Sequence, residues 1–421
     1  MNGFVRWGLG TVVVGLVASA LTACAPPLPA GDGVVAITTD VSPQLAEALD
    51  AALATWSKTS GIEVLVDVVD EVNAESAGDI GLWTSVPALM AAQSEENPRD
   101  IAQLTAGEGE PWTTRSLPGL SAPVTTADDA VVGVPFALAV DTLVYSNPQA
   151  FAEHGYTLPE SGAEIKTLAA SVTTDQTGFP WCAGVENGAG SGAQFAKWLD
   201  YAILNTAGPE SYQQWRNGEL PADDPAVVEA VGALEESVLN DTAVSGGRIG
   251  VARNGYANTA PLFEKAWRVN GQCLMYLGDS EIATNFPEAV VTQVLSGDDS
   301  RLSAIPFMMG ADDSFSLIAT GSYFSAIALD EDVVAVLAYV TSPEFVAAMA
   351  STPGYLSPWV SESVVEYGDP VTTAIGGILQ RADTIELSRF SFVTETVREE
   401  FLATIMEYLS GDADWSSVAS K

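Results

Sequence analysis

At 421 residues the chain exceeds what one hydrophobic core usually organises and is long enough for two lobes. A hydrophobic share of 47% and a charged share of 17% are those of a globular protein, not of a disordered chain or a coiled coil. The balance of 16 Lys+Arg against 55 Asp+Glu leaves a formal net charge of −39, which repels nucleic-acid phosphates and anionic headgroups and excludes nucleic acid as a partner.

In chain order, Met1 to Ala23 holds Arg6, no acid, and an apolar run from Trp7 through Leu21. This is the pattern of a secretory signal peptide. It ends in Leu21-Thr22-Ala23-Cys24, a bacterial lipobox, in which small residues fit the signal-peptidase pocket and the thiol receives a diacylglyceryl group. Residues 1–23 are therefore expected to be removed, leaving Cys24 as a lipidated first residue that anchors the protein at the extracytoplasmic face of the cell membrane. The competing reading, a plain signal or a short membrane anchor with a chance cysteine, suffers from the length of the run, which falls short of the ~20 residues a span needs. Residues 24–33, rich in Pro, Ala and Gly, read as a short tether.

From Val34 strand-like and helix-like stretches alternate. Val34 to Thr38 is a β run, Pro43 to Lys58 carries helical apolar spacing at Leu45, Leu49, Leu53 and Trp56, and Ile62 to Val69 is again β-branched. Such a βαβ opening implies a mainly parallel sheet covered by helices. Asp79 to Trp83 reads as a short strand and Val86 to Gln93 as a helix, so Trp83 stands at a strand's carboxyl end, where open α/β sheets meet their ligands. Val131 to Asn147 reads as a strand pair, broken at Pro135 and Asp141, that leaves one lobe for the next. Pro148 to Val172 is helical around Pro159, with His154-Gly155 as a helix end. Gly184 to Gly192 is a glycine-rich loop without the spacing of a phosphate cradle, and it leads into a helix with Phe195, Trp198, Leu199 and Tyr201.

With Cys24 assigned to lipid, Cys182 and Cys273 remain as an even pair in a compartment that permits disulfides. Bonding to each other is the expectation; two buried free thiols are the alternative. The single histidine, His154, sits elsewhere and supports neither a metal site nor a Ser-His-Asp triad, so no metal and no cofactor are expected.

Several segments occur in a telling order: GDIGLW at Gly78 to Trp83, VGVPFALAVDTLVYSN at Val132 to Asn147, PWCAGVENGAGSG at Pro180 to Gly192, GQCLMYLGDS at Gly271 to Ser280, IATGSYFSAI at Ile318 to Ile327, and TSPEF before GYLSP at Gly354 to Pro358. Behind a lipobox, this set resembles the extracellular solute-binding proteins of bacterial ABC sugar importers, nearest to the maltose- and alpha-glucoside-binding members. The resemblance implies an α/β, two-lobed periplasmic-binding-protein-like fold of type II, with a hinge of crossing strands and a ligand cleft between the lobes. It also supports the Cys182–Cys273 disulfide, and it implies delivery of a captured carbohydrate, such as an alpha-glucoside or another oligosaccharide, by a monomer to the permease subunits of an importer. We expect lobe 1 to comprise 34–140 plus 300–345, and lobe 2 to comprise 141–299 plus 346–421.

A sugar offers hydroxyls to charged partners and a C–H face to aromatic rings. Trp56, Trp198, Trp215 and Trp267 have helical spacing and read as packing, whereas Trp83, Trp112, Trp181 and Trp359, with Tyr355, fall in loops or strand ends. The expected ligand-binding residues are Trp83, Trp181, Tyr355 and Trp359 as platforms, and Asp141, Glu186, Asp279 and Ser280 as polar partners. Gly321, Ser322 and Tyr323 join them as backbone and hydroxyl donors. No pair of acids is singled out for glycoside hydrolysis, so the chain is read as a binding protein and not an enzyme. A binding protein for a polar or cationic solute, or a non-transport sensor or adhesin of the same fold, shares these features.

Overall fold

The computed structural model describes residues 28–93, 98–102, 111–175, 178–263, 273–296, 301–307, 316–360 and 365–418. The leader, Cys24 and Trp267 lie outside the described residues, and with them the expectations of cleavage and lipidation. Two sheets organise the chain. The first contains β1 (Val34–Thr39), β2 (Glu63–Val68), β3 (Ile80–Trp83), β4 (Val134–Val140), β9 (Ser316–Ala326) and β10 (Thr384–Leu387); the second contains β5 (Leu143–Ser146), β6 (Phe179–Cys182), β7 (Cys273–Gly278) and β8 (Ser303–Pro306).

The opening βαβ unit follows the sequence closely. Ser42 accepts a hydrogen bond from the Leu45 amide, Pro43 begins the helix Pro43–Ser60, and Gly61 ends it with φ 81°. These are the cap chemistries expected at the two ends. Leu49 and Leu53 bury that helix against β1 and β2, which pair in parallel. Pro148–His154 and Gly162–Asp175 form the expected interrupted helical stretch, and Gly155 takes φ 74° after His154.

β9 is the longest strand and joins the first sheet together. Its first residues pair with β10 in parallel, its last with β3 antiparallel, and its middle with β4 antiparallel. β1, β2 and β3 are parallel to one another, and β3 and β4 both run against β9. β4 thus runs the same way as β1 to β3, and it leaves the sheet at Val140 directly into β5 of the second sheet. The carboxyl ends of β1 and β3 consequently point to the side on which the second lobe begins.

The second sheet mirrors this. β7 runs against β5 with Gly278 opposite Leu143, and β6 is parallel to β7. Their carboxyl ends therefore point back toward the first lobe. One apolar cluster fills the first lobe and continues onto one face of the second sheet through Leu143, Tyr145 and Tyr276. The other face, with Val144, Trp181 and Leu274, packs under helices including Ala193–Arg216 and Glu395–Leu409.

The expected lobe boundaries need correction in three places. Residues 346–360, expected in lobe 2, pack on the first lobe, where the Leu117 amide donates to the Pro358 carbonyl, the Leu138 amide donates to the Leu356 carbonyl, and Tyr355 meets Phe136. Two strands also change lobe. β8, at 303–306, pairs with β5 and belongs to the second sheet, and β10, at 384–387, pairs with β9 and belongs to the first. Each is a four-residue run whose sheet is chosen by its pairing partner, which local sequence does not encode. The chain passes between sheets after β4, between β8 and β9, and after β10 into Glu395–Leu409. Trp112, expected in a loop or strand end, begins the short helix Trp112–Arg115, where its Nε1 donates to the Ile101 carbonyl at 2.8 Å.

Cys182 and Cys273 are bonded to each other, with Cα atoms 5.2 Å apart. The bridge ties β6, an edge strand, to β7 and so fixes the root of the loop that follows β6. Closing a loop across a separation of 91 residues restricts the unfolded chain and stabilises the fold by about 3–5 kcal/mol. Replacing both cysteines by serine is expected to lower the melting temperature by roughly 5–10 °C in a thermal scan. An unchanged melting temperature would show that the bridge constrains nothing.

Candidate functional site

The loops at the carboxyl ends of β1, β3, β6 and β7 face one another across the crossover at Asp141-Thr142. On the first lobe this brings forward Asp40 and Thr84. Asp40 is half-buried and accepts hydrogen bonds from the amides of Val72 at 3.4 Å and Thr84 at 3.1 Å. Burial raises its pKa above the ordinary aspartate value, against the opposing pull of those amides.

On the second lobe the loop after β6 presents Glu186 and Asn187, both exposed. The loop is stitched down by its backbone: the Glu186 amide donates to the Asn254 carbonyl, and the Tyr256 amide donates to the Glu186 carbonyl at 2.8 Å. The Tyr256 hydroxyl in turn donates to Asp279 Oδ1, at the end of β7. Tyr256 therefore links the exposed loop to the buried floor.

That floor is an ionic group. Lys197 Nζ lies 2.6 Å from Asp279 Oδ2 and 3.4 Å from Asp141 Oδ1. Asp141 is fully buried and also accepts from the Thr320 hydroxyl of β9 at 3.1 Å and 3.2 Å. Asp279 Oδ1 accepts from the amides of Glu281 and Ile282 at 3.1 Å each, and with the Gln194 amide turned to satisfy both neighbours, Gln194 donates to Asp279 and accepts from Trp198. Ser280 takes part through its hydroxyl, which accepts from the Val140 amide at 3.0 Å, and the Tyr145 hydroxyl donates to the Asp279 carbonyl. Groups from β4, β5, β7, β9 and the helix Ala193–Arg216 thus meet at the first crossover.

The charges are uneven: two carboxylates share one ammonium. Burial pulls the Lys197 pKa down, but Asp141, Asp279 and Glu281 more than offset it and hold the ammonium charged. Asp141 is pushed up to about 7, first by burial and then by Asp279, Asp200 and Glu281, with Lys197 only partly opposing. Asp141 is the less well compensated of the two by geometry: Asp279 has the shorter ion pair and several donors, whereas Asp141 has the longer one and a single hydroxyl.

The remaining expected site residues are placed in packing. Trp83 is buried at the end of β3 with its ring lying back over Gly81, so close that a side chain there would strike it. Trp181 packs edge-on against Phe307 on the far face of the second sheet, and its Nε1 donates to the Ser237 carbonyl. Gly321, Ser322 and Tyr323 lie mid-strand in β9, opposite Leu138, Ala137 and Pro135, with the Tyr323 hydroxyl donating to the Leu120 carbonyl. Tyr355 is buried against Phe136, and Trp359 sits edge-on to Trp112 beneath the Arg115 guanidinium. Asp141, Asp279, Ser280 and Glu186 are the expected residues that the fold gathers around the crossover. The sequence reading missed Asp40, Tyr256 and Lys197. Asp40 directly follows a β-branched strand and precedes a Ser-Pro helix start, a signal that was available; Lys197 is hidden within an aromatic helix.

No protein-family model matches the chain. The osmoprotective compounds-binding protein GgtB of Synechocystis sp. is 25% identical over 429 aligned residues, covering 97% of this chain and 96% of its own length. The alpha-glucosides-binding periplasmic protein AglE of Rhizobium meliloti is 27% identical over 260 residues, 61% of this chain and 54% of its own. Among solved structures, the bacterial solute receptor AcbH superposes with a TM-score of 0.74 at 14% identity, covering 92% of this chain and 95% of its own. A probable secreted solute-binding lipoprotein from Streptomyces coelicolor superposes at 0.66, with 14% identity, 92% of this chain and 97% of its own. The two-lobed fold is thus that of bacterial solute receptors.

Asp141 makes stability depend on pH with a definite sign. Its folded-state value of about 7 exceeds the ordinary 3.8, so between the two the folded protein holds a proton that the unfolded chain releases. Its contribution therefore declines as pH rises through that window, by at most about 1.4 kcal/mol per pH unit, and is constant above it. In urea unfolding at pH 5 and pH 8, the stability of wild type relative to Asp141→Asn is expected to be lower at pH 8. A difference that does not change with pH would contradict the assignment.

Proposed function

We propose that the chain is the substrate-binding component of an ABC importer and captures a carbohydrate, an alpha-glucoside or another oligosaccharide, by closure of its two lobes. The observation that carries this reading is the opposition of four strand-end loops across the crossover, with hydrogen-bonding carboxyl groups on both sides. Asp40 on one lobe and Glu186 on the other are suited to accept charge-assisted hydrogen bonds from sugar hydroxyls, joined by Asn187 and the Tyr256 region. Asp141, Asp279 and Ser280 organise the floor beneath them. Contacts made with both lobes at once stabilise the closed form over the open one, and ligand shifts the population accordingly.

Relatives support the ligand class. AglE is named for alpha-glucosides, GgtB for osmoprotective compounds, and AcbH for an exclusive preference for β-D-galactopyranose. In this reading Cys24 carries the lipid that holds a monomeric receptor beside its permease, and no catalysis occurs. One observation favours a second ligand class: among the described residues the cation on the floor, Lys197, is already shared by two carboxylates, so the surrounding wall is acidic and suits a cationic or zwitterionic solute.

A thermal-shift panel of mono- and oligosaccharides, polyamines and short peptides separates the two, since a ligand that binds only the folded state raises its melting temperature. An alpha-linked glucoside is expected to shift it, and Glu186→Ala is expected to weaken that ligand by about tenfold or more in calorimetry, the loss of one hydrogen bond to a charged group. A response to cationic ligands alone would overturn the sugar assignment.

A further inference from the structure

The helix Ala193–Arg216 bears two ionic residues on one face, Lys197 and Asp200, three positions apart. Lys197 serves the first crossover. Asp200 serves the third, where the chain leaves β10 of the first sheet for the helix Glu395–Leu409 of the second lobe. It is 2% exposed and collects three donors. One lies on its own helix beyond a break, Trp215 Nε1 at 2.8 Å. Two lie on the crossover: the Ser388 hydroxyl at 3.1 Å and the Arg389 amide at 2.9 Å.

The break has a clear origin. Gly208 takes φ 83° and ψ 172°, and Pro209 lacks the amide that would continue the helical ladder. The segment after it is thereby free to turn toward β10. There Arg216 Nη1 meets Glu386 Oε2 at 2.8 Å, Gln213 donates to the other oxygen of Glu386, and the Tyr212 hydroxyl donates to the Leu387 carbonyl. The Arg389 guanidinium closes the group from outside, 4.1 Å over the Trp215 ring. A buried carboxylate persists only where donors compensate for its lost water. Here they come from the second lobe's long helix and from the strand exit of the first lobe together.

We propose that Asp200 is a positioning residue for lobe closure: by bonding the third crossover to the body of the second lobe, it sets the angle from which the lobes open and close. This rests on the reading that ligand is captured by closure, but its first consequence concerns the free protein.

The test uses the full chain in a Cys24→Ser background, with spin labels on cysteines at Ala54 and Glu229, which are exposed on the first and second lobes. Double electron–electron resonance is expected to give wild type one narrow distance distribution that shifts with an alpha-glucoside. Asp200→Asn, with a donor where three donors converge, is expected to broaden or displace the ligand-free distribution and weaken binding about tenfold. Ser388→Ala is expected to do the same to a smaller degree, and it carries the test if Asp200→Asn does not fold. Tyr408→Phe, which loses a half-buried hydrogen bond to Glu235 inside the second lobe, is expected to lower stability and leave the distribution in place. Distributions of Asp200→Asn and Ser388→Ala that coincide with wild type, with and without ligand, would overturn the proposal. If no sugar moves the wild-type distribution, the capture reading fails, while the ligand-free distributions still decide the role of Asp200.

Discussion

An ammonium group buried between two lobes must be neutralised where it stands, and Lys197 meets that demand with carboxylates that the chain supplies from Asp141 on the crossover and Asp279 at the end of β7. Removing Lys197 would leave two carboxylates side by side without a counter-charge in a medium that solvates them poorly. The requirement fixes several elements at once. The helix carrying Lys197 must lie over the crossover, β7 must end level with the start of β5, and Thr320 of β9 must reach Asp141 from the first lobe. The hinge is therefore specified by electrostatics as much as by apolar packing, and specified narrowly, because the ion pairs tolerate little displacement.

With the floor fixed, the strand directions decide where a ligand is met. β1, β2 and β3 of the first lobe end on the side of the second, and β6 and β7 end on the side of the first, so the loops that follow them form two facing walls. The disulfide and the Tyr256 bridge hold the second wall to the floor. The aromatic residues are instead spent largely on the interiors of the lobes: Trp83, Trp181, Tyr323 and Tyr355 each expose 2% or less. A wall of carboxyl groups and short polar side chains recognises hydroxyl patterns through directed hydrogen bonds, and it disfavours anions.

Much of the architecture was legible in the sequence. The alternation from Val34, the Ser-Pro helix start at Ser42, the glycine stops at Gly61 and Gly155, and the break at Asp141 all act locally, and local chemistry suffices to place them. The cysteine pair was legible once Cys24 was set aside. What could not be read depends on distant partners. β8 and β10 are too short to declare their sheet. Lys197 looks like any lysine on an amphipathic helix until β7 and the crossover are brought beneath it. A strand end fixes where a tryptophan stands but leaves open the face its ring covers: Trp83 turns back over Gly81, while Trp181 turns to the far side of its sheet.

The most direct test of ligand capture by closure is small-angle X-ray scattering of the protein in a Cys24→Ser background, free and saturated with a sugar that raises its melting temperature. The radius of gyration is expected to fall on saturation, with the scattering profile moving from an open to a closed two-lobed particle. An unchanged radius at full occupancy would contradict the account, since the ligand would then be held by one lobe alone.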